Sequence, residues 1–218
     1  MKILLVDDHP MTVDGYVSAL TKNTRTSSKS VFTKAYNCEN AYTIITNAAN
    51  AGNPFDLAIM DEGLPPYQAQ GLKSGSDVAL FLNKKMPNCK IIMITAHTEV
   101  LMIYAITKNI HPDGLITKNE ITPDNLSEIV KEVMNGGQYQ SVIVKSCILQ
   151  IWKKELMIED YNRQILFYLS KGFKIKDIEK TMSISSSAIQ KRIIKMKKAF
   201  EINDESGLVR EAFRLGFI

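Results

Sequence analysis

Five polar residues of the N-terminal half stand at the ends of four short, mainly apolar runs. They are Asp7, Asp8, Asp61, Thr95 and Lys118. The runs are too short for helices, and a Gly/Pro turn closes the one that ends at Asp61, so they are predicted to be buried parallel strands of an α/β sheet. Because the carboxyl ends of parallel strands share one edge of the sheet, we expect the five side chains to lie close together there.

The chemistry of such a cluster follows from its charges. Three neighbouring carboxylates repel one another, and a hard divalent cation such as Mg²⁺ relieves the repulsion while keeping positions open for phosphate oxygens. Asp61 could then act as a nucleophile towards a phosphoryl group and form an acyl phosphate. Thr95 and Lys118 would stabilise charge on the transferred oxygens. Taken singly, each residue is more often a turn former, a helix cap or a solvated lysine, so the prediction depends on the ordered set.

Residues 1–135 resemble the receiver domain of two-component response regulators. The segments that match are Asp7-Asp8-His9-Pro10, Asp61 followed by Leu64-Pro65, Thr95-Ala96, and Lys118 at the end of the fifth strand. The first of these is particularly like the LuxR/FixJ/NarL-type subfamily. The resemblance implies a flavodoxin-like (βα)5 fold with a parallel sheet in the order 2-1-3-4-5.

The same resemblance implies a role for each residue of the cluster. Asp61 would be the phosphoacceptor of a sensor histidine kinase, Thr95 the switch hydroxyl, and Lys118 the partner of the phosphoryl group. Mg²⁺ would be held by Asp7, Asp8, Asp61 and the backbone carbonyl of Gly63. Such receivers usually carry Tyr or Phe three residues before the lysine, where this chain has Leu115, so we expect any switch to use packing and no aromatic rotation.

The elements expected around these residues are short. The predicted helices are 9–21, 39–51, 78–85, 99–108 and 123–135, and the second strand is 31–35. Lys22–Ser30 is predicted to be a loop. Residues 66–77 form a longer loop than receivers usually have beside the phosphoacceptor, predicted to be a surface insertion or, alternatively, a contact surface for the kinase or the second domain.

Charge and cysteine content constrain the rest of the chain. Residues 1–151 carry 13 Lys/Arg and 14 Asp/Glu, whereas the remaining 67 residues carry 14 against 9, so the C-terminal part holds a net +5. This asymmetry predicts a second module that binds nucleic acid. Cys38, Cys89 and Cys147 are far apart without metal-ligand spacing, and neither a signal sequence nor a membrane span is predicted, which indicates a cytoplasmic protein.

The C-terminal pattern changes to short helices joined by turns, which is typical of a helix-turn-helix domain. The predicted helices are 163–170, 175–182, 186–200 and 204–215. In the third helix the apolar Ile189, Ile193, Met196 and Phe200 share one face, and basic residues occupy the remainder. A basic helix is often only a solvated face, but its position after a short helix and a serine turn favours insertion in the major groove.

This segment resembles the LuxR/FixJ-type four-helix DNA-binding domain. The match rests on Ile165-Leu166, Gly172, Asp177-Ile178, Ile184-Ser185, Ala188-Ile189 and the closing Ala212–Ile218. Asn162 and Glu179 stand where that family usually has glutamate and alanine. The candidate DNA contacts are Ser186, Ser187, Gln190, Lys191, Arg192, Lys195 and Lys198.

These observations predict a response regulator with a receiver at 1–135, a partly helical linker at 136–159 and a small all-α DNA-binding domain at 160–218. Phosphorylation would control homodimerisation and binding to double-stranded promoter DNA, and the chain would be no enzyme in the usual sense. One alternative is a phosphorylation-independent regulator whose receiver serves only to dimerise. Another is a haloacid-dehalogenase-like phosphohydrolase, although the adjacent acids Asp7-Asp8 do not match its nucleophile motif.

Overall fold

The computed structural model describes residues 1–22, 30–214 and 217–218, without the side chains of residues 22, 152, 154, 157 and 158. The chain divides into two compact units, Met1–Cys147 and Ile148–Ile218. Most of the loop predicted at Lys22–Ser30 and the predicted helix end at Leu215 lie outside the described residues. No helix in the part of the chain that is described is long and apolar enough to cross a membrane.

A parallel sheet in the order β2-β1-β3-β4-β5-β6 forms the N-terminal unit. The strands are β1 (Lys2–Val6), β2 (Val31–Ala35), β3 (Leu57–Asp61), β4 (Lys90–Thr95), β5 (Gly114–Thr117) and β6 (Tyr139–Gln140). The helices that alternate with them are α1 (Pro10–Lys22), α2 (Cys38–Asn50), α3 (Gly75–Lys85), α4 (Val100–Ile110) and α5 (Pro123–Met134). The predicted order of the first five strands is confirmed.

Burial of the central strands explains their continuous apolar runs. Every residue of β3 and β5 is buried, as parallel strands covered by helices on both faces require. Residues of β1, β3, β4 and β5 pack with α1 and α5 into one core that includes Ile3, Leu57, Ile92, Ile116 and Leu126. The carboxyl ends of these strands therefore meet at a single edge, as predicted.

The sixth strand was not predicted. Tyr139 and Gln140 fall in the segment expected to be linker, and they pair with Gly114 and Leu115 of β5. A strand of two residues leaves no alternation in the sequence from which to predict it. The sheet thus extends to the residue that directly precedes the next helix, α6 (Val142–Ile158).

The insertion after β3 is an ordered turn. Tyr67 and Leu72 exchange backbone hydrogen bonds of 2.7 and 3.1 Å, and Gly71 turns the chain with a φ of +68°. The Tyr67 ring lies 5.8 Å from that of Tyr42 on α2. Helix α3 begins at Gly75, earlier than the predicted Val78, because the Ser74 hydroxyl accepts a hydrogen bond from the Ser76 amide and caps the helix.

The described part of the C-terminal unit consists of helices joined by short turns. After α6, which spans the boundary between the units, come α7 (Asp160–Ser170), α8 (Ile175–Met182), α9 (Ser186–Phe200) and α10 (Glu205–Arg214). Their bounds match the predicted helices within a few residues. Its core includes Ile165, Ile178, Ile189, Met196 and Leu208. The predicted apolar face of the 186–200 helix is therefore confirmed as a core face.

Candidate functional site

Lys118 joins two buried aspartates at the carboxyl edge of the sheet. Its Nζ lies 2.9 Å from Asp61 Oδ2 and 3.2 Å from Asp7 Oδ2. Asp7 follows β1 and is fully buried, and Asp61 ends β3 with 4% of its surface exposed. A lysine that follows β5 thus reaches two strand ends at once, because β1, β3, β4 and β5 are consecutive in the sheet.

The acidic groups have unused capacity to bind a cation. Asp7 Oδ2 and Asp8 Oδ1 are buried oxygen atoms, with Lys118 Nζ 3.2 Å from the first and His9 Nδ1 2.7 Å from the second. Donor atoms of Asp7, Asp8 and His9 lie within 4.8 Å of one another. Because Mg²⁺ prefers oxygen ligands, we assign His9 as a neighbour of the carboxylates and not as a ligand. The residues present fit a divalent cation.

Burial and charge determine the protonation states of Asp61 and Lys118. Burial raises the pKa of Asp61, and the hydrogen bond from Lys118 only partly offsets that effect. For Lys118, burial would lower the pKa, but the hydrogen bond and charge of Asp61 together with Asp7 raise it on balance. The lysine is therefore a permanent cation at neutral pH, beside a carboxylate that is costly to ionise.

Thr95 lies at the end of β4, the strand that pairs with β3, and Gly63 follows Asp61 by two residues. Thr95 ends β4 and is buried, and its hydroxyl oxygen accepts a hydrogen bond of 3.0 Å from the His97 amide. The Gly63 backbone hydrogen-bonds to the Asp61 carboxylate. Gly75 packs against the Asp61 backbone so closely that an added Cβ would lie 1.8 Å from its carbonyl oxygen. The turn after Asp61 and the start of α3 therefore form one tightly packed unit.

Comparison with known proteins identifies this arrangement. Residues 3–131 match the family described as the response regulator receiver domain. The chain belongs to the response regulator receiver family. This membership decides against the phosphohydrolase alternative.

Two relatives match this chain over nearly their whole length. The chain is 25% identical to the response regulator protein VraR of Staphylococcus saprophyticus, over 100% of this chain and 99% of the relative. It is 21% identical to the transcriptional regulatory protein MctR of Rhizobium johnstonii, over 100% and 95% respectively. Among solved structures, the response regulator RcsB of Salmonella typhimurium matches with a TM-score of 0.59 and 16% identity, covering 97% of each chain.

A second RcsB structure, described as an RcsB–DNA complex, matches with a TM-score of 0.56 at 16% identity and covers 96% of each chain. At these identities the structural matches show the fold alone. They confirm a receiver followed by a helical C-terminal domain.

The exposed face of α9 carries most of the predicted DNA contacts. Its exposed residues are Ser187, Gln190, Lys191, Ile194, Lys195 and Lys198. Ile194 is 62% exposed in the middle of this otherwise polar stripe. Sequence reasoning missed it, because an isoleucine beside the core residue Ile193 gives no signal that separates it from the core. We call these six residues the α9 stripe.

Two of the predicted contacts lie elsewhere on the helix. The Arg192 guanidinium donates hydrogen bonds to Glu159 and, at 3.0 Å, to Asn162, and it lies 5.1 Å from the Tyr161 ring centroid. The Ser186 hydroxyl donates to the Glu179 carboxylate. These contacts fix α9 within its own domain. They also account for Asn162 and Glu179, the residues that depart from the LuxR/FixJ-type pattern.

Proposed function

We propose that the protein is the DNA-binding response regulator of a two-component system, acting in the cytoplasm. A sensor histidine kinase phosphorylates Asp61, and this controls homodimerisation and binding to double-stranded promoter DNA. The observation that carries the proposal is the Lys118 ammonium between the buried carboxylates of Asp61 and Asp7, next to a buried oxygen of Asp8.

Each residue of the cluster has a defined part in the transfer. A carboxylate oxygen of Asp61 forms the new bond to phosphorus, while the bond from phosphorus to the donor breaks. Lys118 and the Thr95 hydroxyl stabilise the negative oxygens of the phosphoryl group. Asp7, Asp8, Asp61 and the Gly63 carbonyl would hold Mg²⁺, and the cation would supply positive charge that offsets the carboxylates and the phosphate. Burial raises the pKa of Asp61, and the hydrogen bond and charge of Lys118 act in the opposite direction, towards the ionised nucleophile.

The α9 stripe is the proposed DNA-reading surface. Gln190 supplies an amide suited to adenine, and Lys191, Lys195 and Lys198 supply positive charge for phosphates or guanine. Ile194 supplies an apolar surface of the kind that contacts thymine methyl groups. Ser186 and Ser187 begin the helix, where backbone N–H groups can meet a phosphate. Arg192 instead holds the helix in position, by its contacts with Glu159 and Asn162.

A two-part experiment tests the function. The full-length chain is incubated with a small phosphodonor and Mg²⁺, beside Asp61→Ala and the control Asp124→Ala, which removes an exposed acid of α5. We expect stoichiometric labelling of the wild type and the control, and none of Asp61→Ala. Genomic DNA fragments are then recovered with and without beryllofluoride, which stands in for the phosphoryl group, and enrichment of two-fold-symmetric sites only with beryllofluoride is expected.

One observation favours the phosphorylation-independent alternative. Leu115, buried at 2% exposure, occupies the position where receivers of this type usually carry the aromatic switch residue. Equal enrichment of DNA in the presence and absence of beryllofluoride would support this alternative. Labelling of Asp61→Ala at the wild-type level would contradict the assignment of the phosphoacceptor.

A further inference from the structure

Glu120 connects the phosphorylation site to the start of α6. It ends the three-residue turn Lys118–Glu120, so it is two residues from the lysine that contacts Asp61. Its Oε2 accepts a hydrogen bond of 2.5 Å from the Thr117 hydroxyl, and its Oε1 accepts one of 3.1 Å from the Ile143 amide in the first turn of α6. One carboxylate therefore joins the end of β5 to the linker helix.

The electrostatics of Glu120 are those of a helix cap. Burial would raise its pKa, but hydrogen bonds from Ser141, Thr117 and the amides of Ile143 and Val142 lower it on balance. An ionised carboxylate at a helix N-terminus satisfies amides that have no partner within the helix and interacts favourably with the helix dipole. The first turn of α6 is thus stabilised by a residue in the same three-residue turn as Lys118.

A further set of contacts secures the same helix start. The Ser141 amide donates a 3.1 Å hydrogen bond to the carbonyl of Leu115, the residue at the usual aromatic position. The Cys147 thiol lies 3.6 Å from the Thr98 carbonyl oxygen, three residues after Thr95. The first two turns of α6 consequently contact both segments that follow the switch groups Thr95 and Lys118.

We infer that Glu120 is a positioning residue that transmits phosphorylation of Asp61 to the first turn of α6. The inference rests on the proposed phosphorylation of Asp61. The added phosphoryl oxygens draw Lys118 Nζ away from its present position between Asp7 and Asp61. Because the turn Lys118–Glu120 is only three residues long, Glu120 shifts together with Lys118. The hydrogen bond from the Ile143 amide to the Glu120 carboxylate is then lost. The route replaces rotation of an aromatic side chain, which Leu115 cannot supply.

Hydrogen exchange of the full-length protein tests the inference. Amide exchange over residues 141–147 is measured with Mg²⁺ alone and with Mg²⁺ and beryllofluoride, and the fluorine NMR signal of bound beryllofluoride is recorded on the same samples. In the wild type we expect about fivefold faster exchange of these amides when beryllofluoride is bound, because local opening exposes them. The control Glu128→Ala removes an exposed acid of α5 and should respond like the wild type.

Glu120→Ala should lose this response. A purely structural cap would change only the baseline, so the informative quantity is the ratio of exchange with and without beryllofluoride within each variant. We expect that ratio to fall below about twofold in Glu120→Ala, with fluorine signals showing that the site is still filled. Glu120→Gln, which keeps one acceptor for the Ile143 amide, should give an intermediate ratio and serves if the alanine variant does not fold.

The outcomes separate the inference from the function it rests on. A wild-type response retained in Glu120→Ala, or a wild type that binds beryllofluoride without faster exchange at 141–147, would overturn the role of Glu120 alone. Absence of any bound beryllofluoride signal in the wild type would contradict phosphorylation of Asp61, and the inference with it.

Discussion

Asp61 meets two opposing requirements, since a nucleophile must be ionised while its buried position favours the neutral form. Burial is the largest influence on its pKa and raises it, and the nearby Asp7 charge acts in the same direction. Lys118 opposes both without overcoming them. In the absence of a cation, the ionised carboxylate therefore costs folding free energy.

This cost predicts a stabilising substitution. Asp61→Asn keeps the size of the side chain and removes its charge, so it should raise the free energy of unfolding at pH 7 by roughly 1 kcal/mol, an ordinary size for a single substitution. The measurement is urea unfolding of the full chain in the presence of a chelator. Glu128→Gln, at an exposed position in the middle of α5, is the control and should change stability little.

The pH dependence of this gain has a definite sign. The pKa of Asp61 is higher in the folded chain than in the unfolded chain, so the wild type loses stability as the pH rises from the unfolded pKa of about 4 through the folded value. The advantage of Asp61→Asn should be absent below about pH 4 and complete above the folded pKa. Addition of Mg²⁺ should reduce it, because a cation that binds the acidic cluster stabilises the wild type more than a variant with one carboxylate fewer. A destabilised variant at pH 7 without metal would contradict this account.

Residue types at strand ends were sufficient to predict the cluster, because a strand fixes where its last side chain lies. Asp7, Asp61, Thr95 and Lys118 were all found at the edge expected of them. The contacts of Arg192 and Glu120 were not predictable in this way. Their partners, Glu159 and Ile143, are distant in sequence and become neighbours only through the packing of helices.

At the scale of elements, the junction of β3 and α3 requires glycine at position 75, because the two backbone segments are too close together for a side chain. The Gly75 amide donates a 3.0 Å hydrogen bond to the Glu62 carbonyl, and a Cβ on Gly75 would lie 1.8 Å from the Asp61 carbonyl oxygen. The Ser76 hydroxyl also donates a 2.5 Å hydrogen bond to the buried Glu62 carboxylate. The chain therefore packs tightly against the backbone of Asp61 and Glu62 where the insertion at 66–74 ends.

Two glycine substitutions should have opposite effects. Gly75→Ala forces the α3 N-terminus away from β3 and should lower the free energy of unfolding by about 3 kcal/mol, at the upper end for overpacking. Gly15→Ala, in the interior of α1 with nothing within 4 Å of the added Cβ, should raise it by up to about 1 kcal/mol. Urea unfolding of both variants measures the pair. Equal free energies of unfolding for Gly75→Ala and the wild type would contradict this account, because they would show that the backbone at the junction adjusts to the added Cβ at little cost.

The sequence predicted that the helices exist. It did not predict where α3 begins or that Tyr139 and Gln140 form a strand. Helix α3 starts at Gly75 because Ser74 provides a cap, a local signal hidden among the polar residues of the insertion. Strand β6 exists because β5 offers an open edge to Tyr139 and Gln140, which is a property of the sheet and not of those two residues. Boundaries of this kind depend on neighbours that are absent from a local pattern.

At the scale of the whole molecule, the N-terminal part of the chain is nearly neutral and its proposed partner is a kinase, whereas the C-terminal part is basic and its proposed partner is DNA. The segment after residue 151 holds the basic excess, and the lysines of α9 are concentrated on the α9 stripe. Binding to DNA by this stripe releases counterions from the phosphates, so affinity must fall with salt. The composition of the chain predicted this division, and the fold shows which of the basic residues share one exposed face.

Substitution of Lys191 is the most direct test of whether the α9 stripe binds DNA. Lys191→Ala should weaken binding to a selected site and reduce the slope of log affinity against log salt concentration by about one unit if its ammonium meets a phosphate. Lys84→Ala, which removes an exposed lysine of α3 in the N-terminal unit, is the matched control and should leave both quantities unchanged. The affinity is measured by fluorescence anisotropy over a salt series with full-length protein and beryllofluoride. A slope that falls equally in both variants would indicate a general charge effect, whereas an unchanged slope and affinity for Lys191→Ala would remove this residue from the DNA interface.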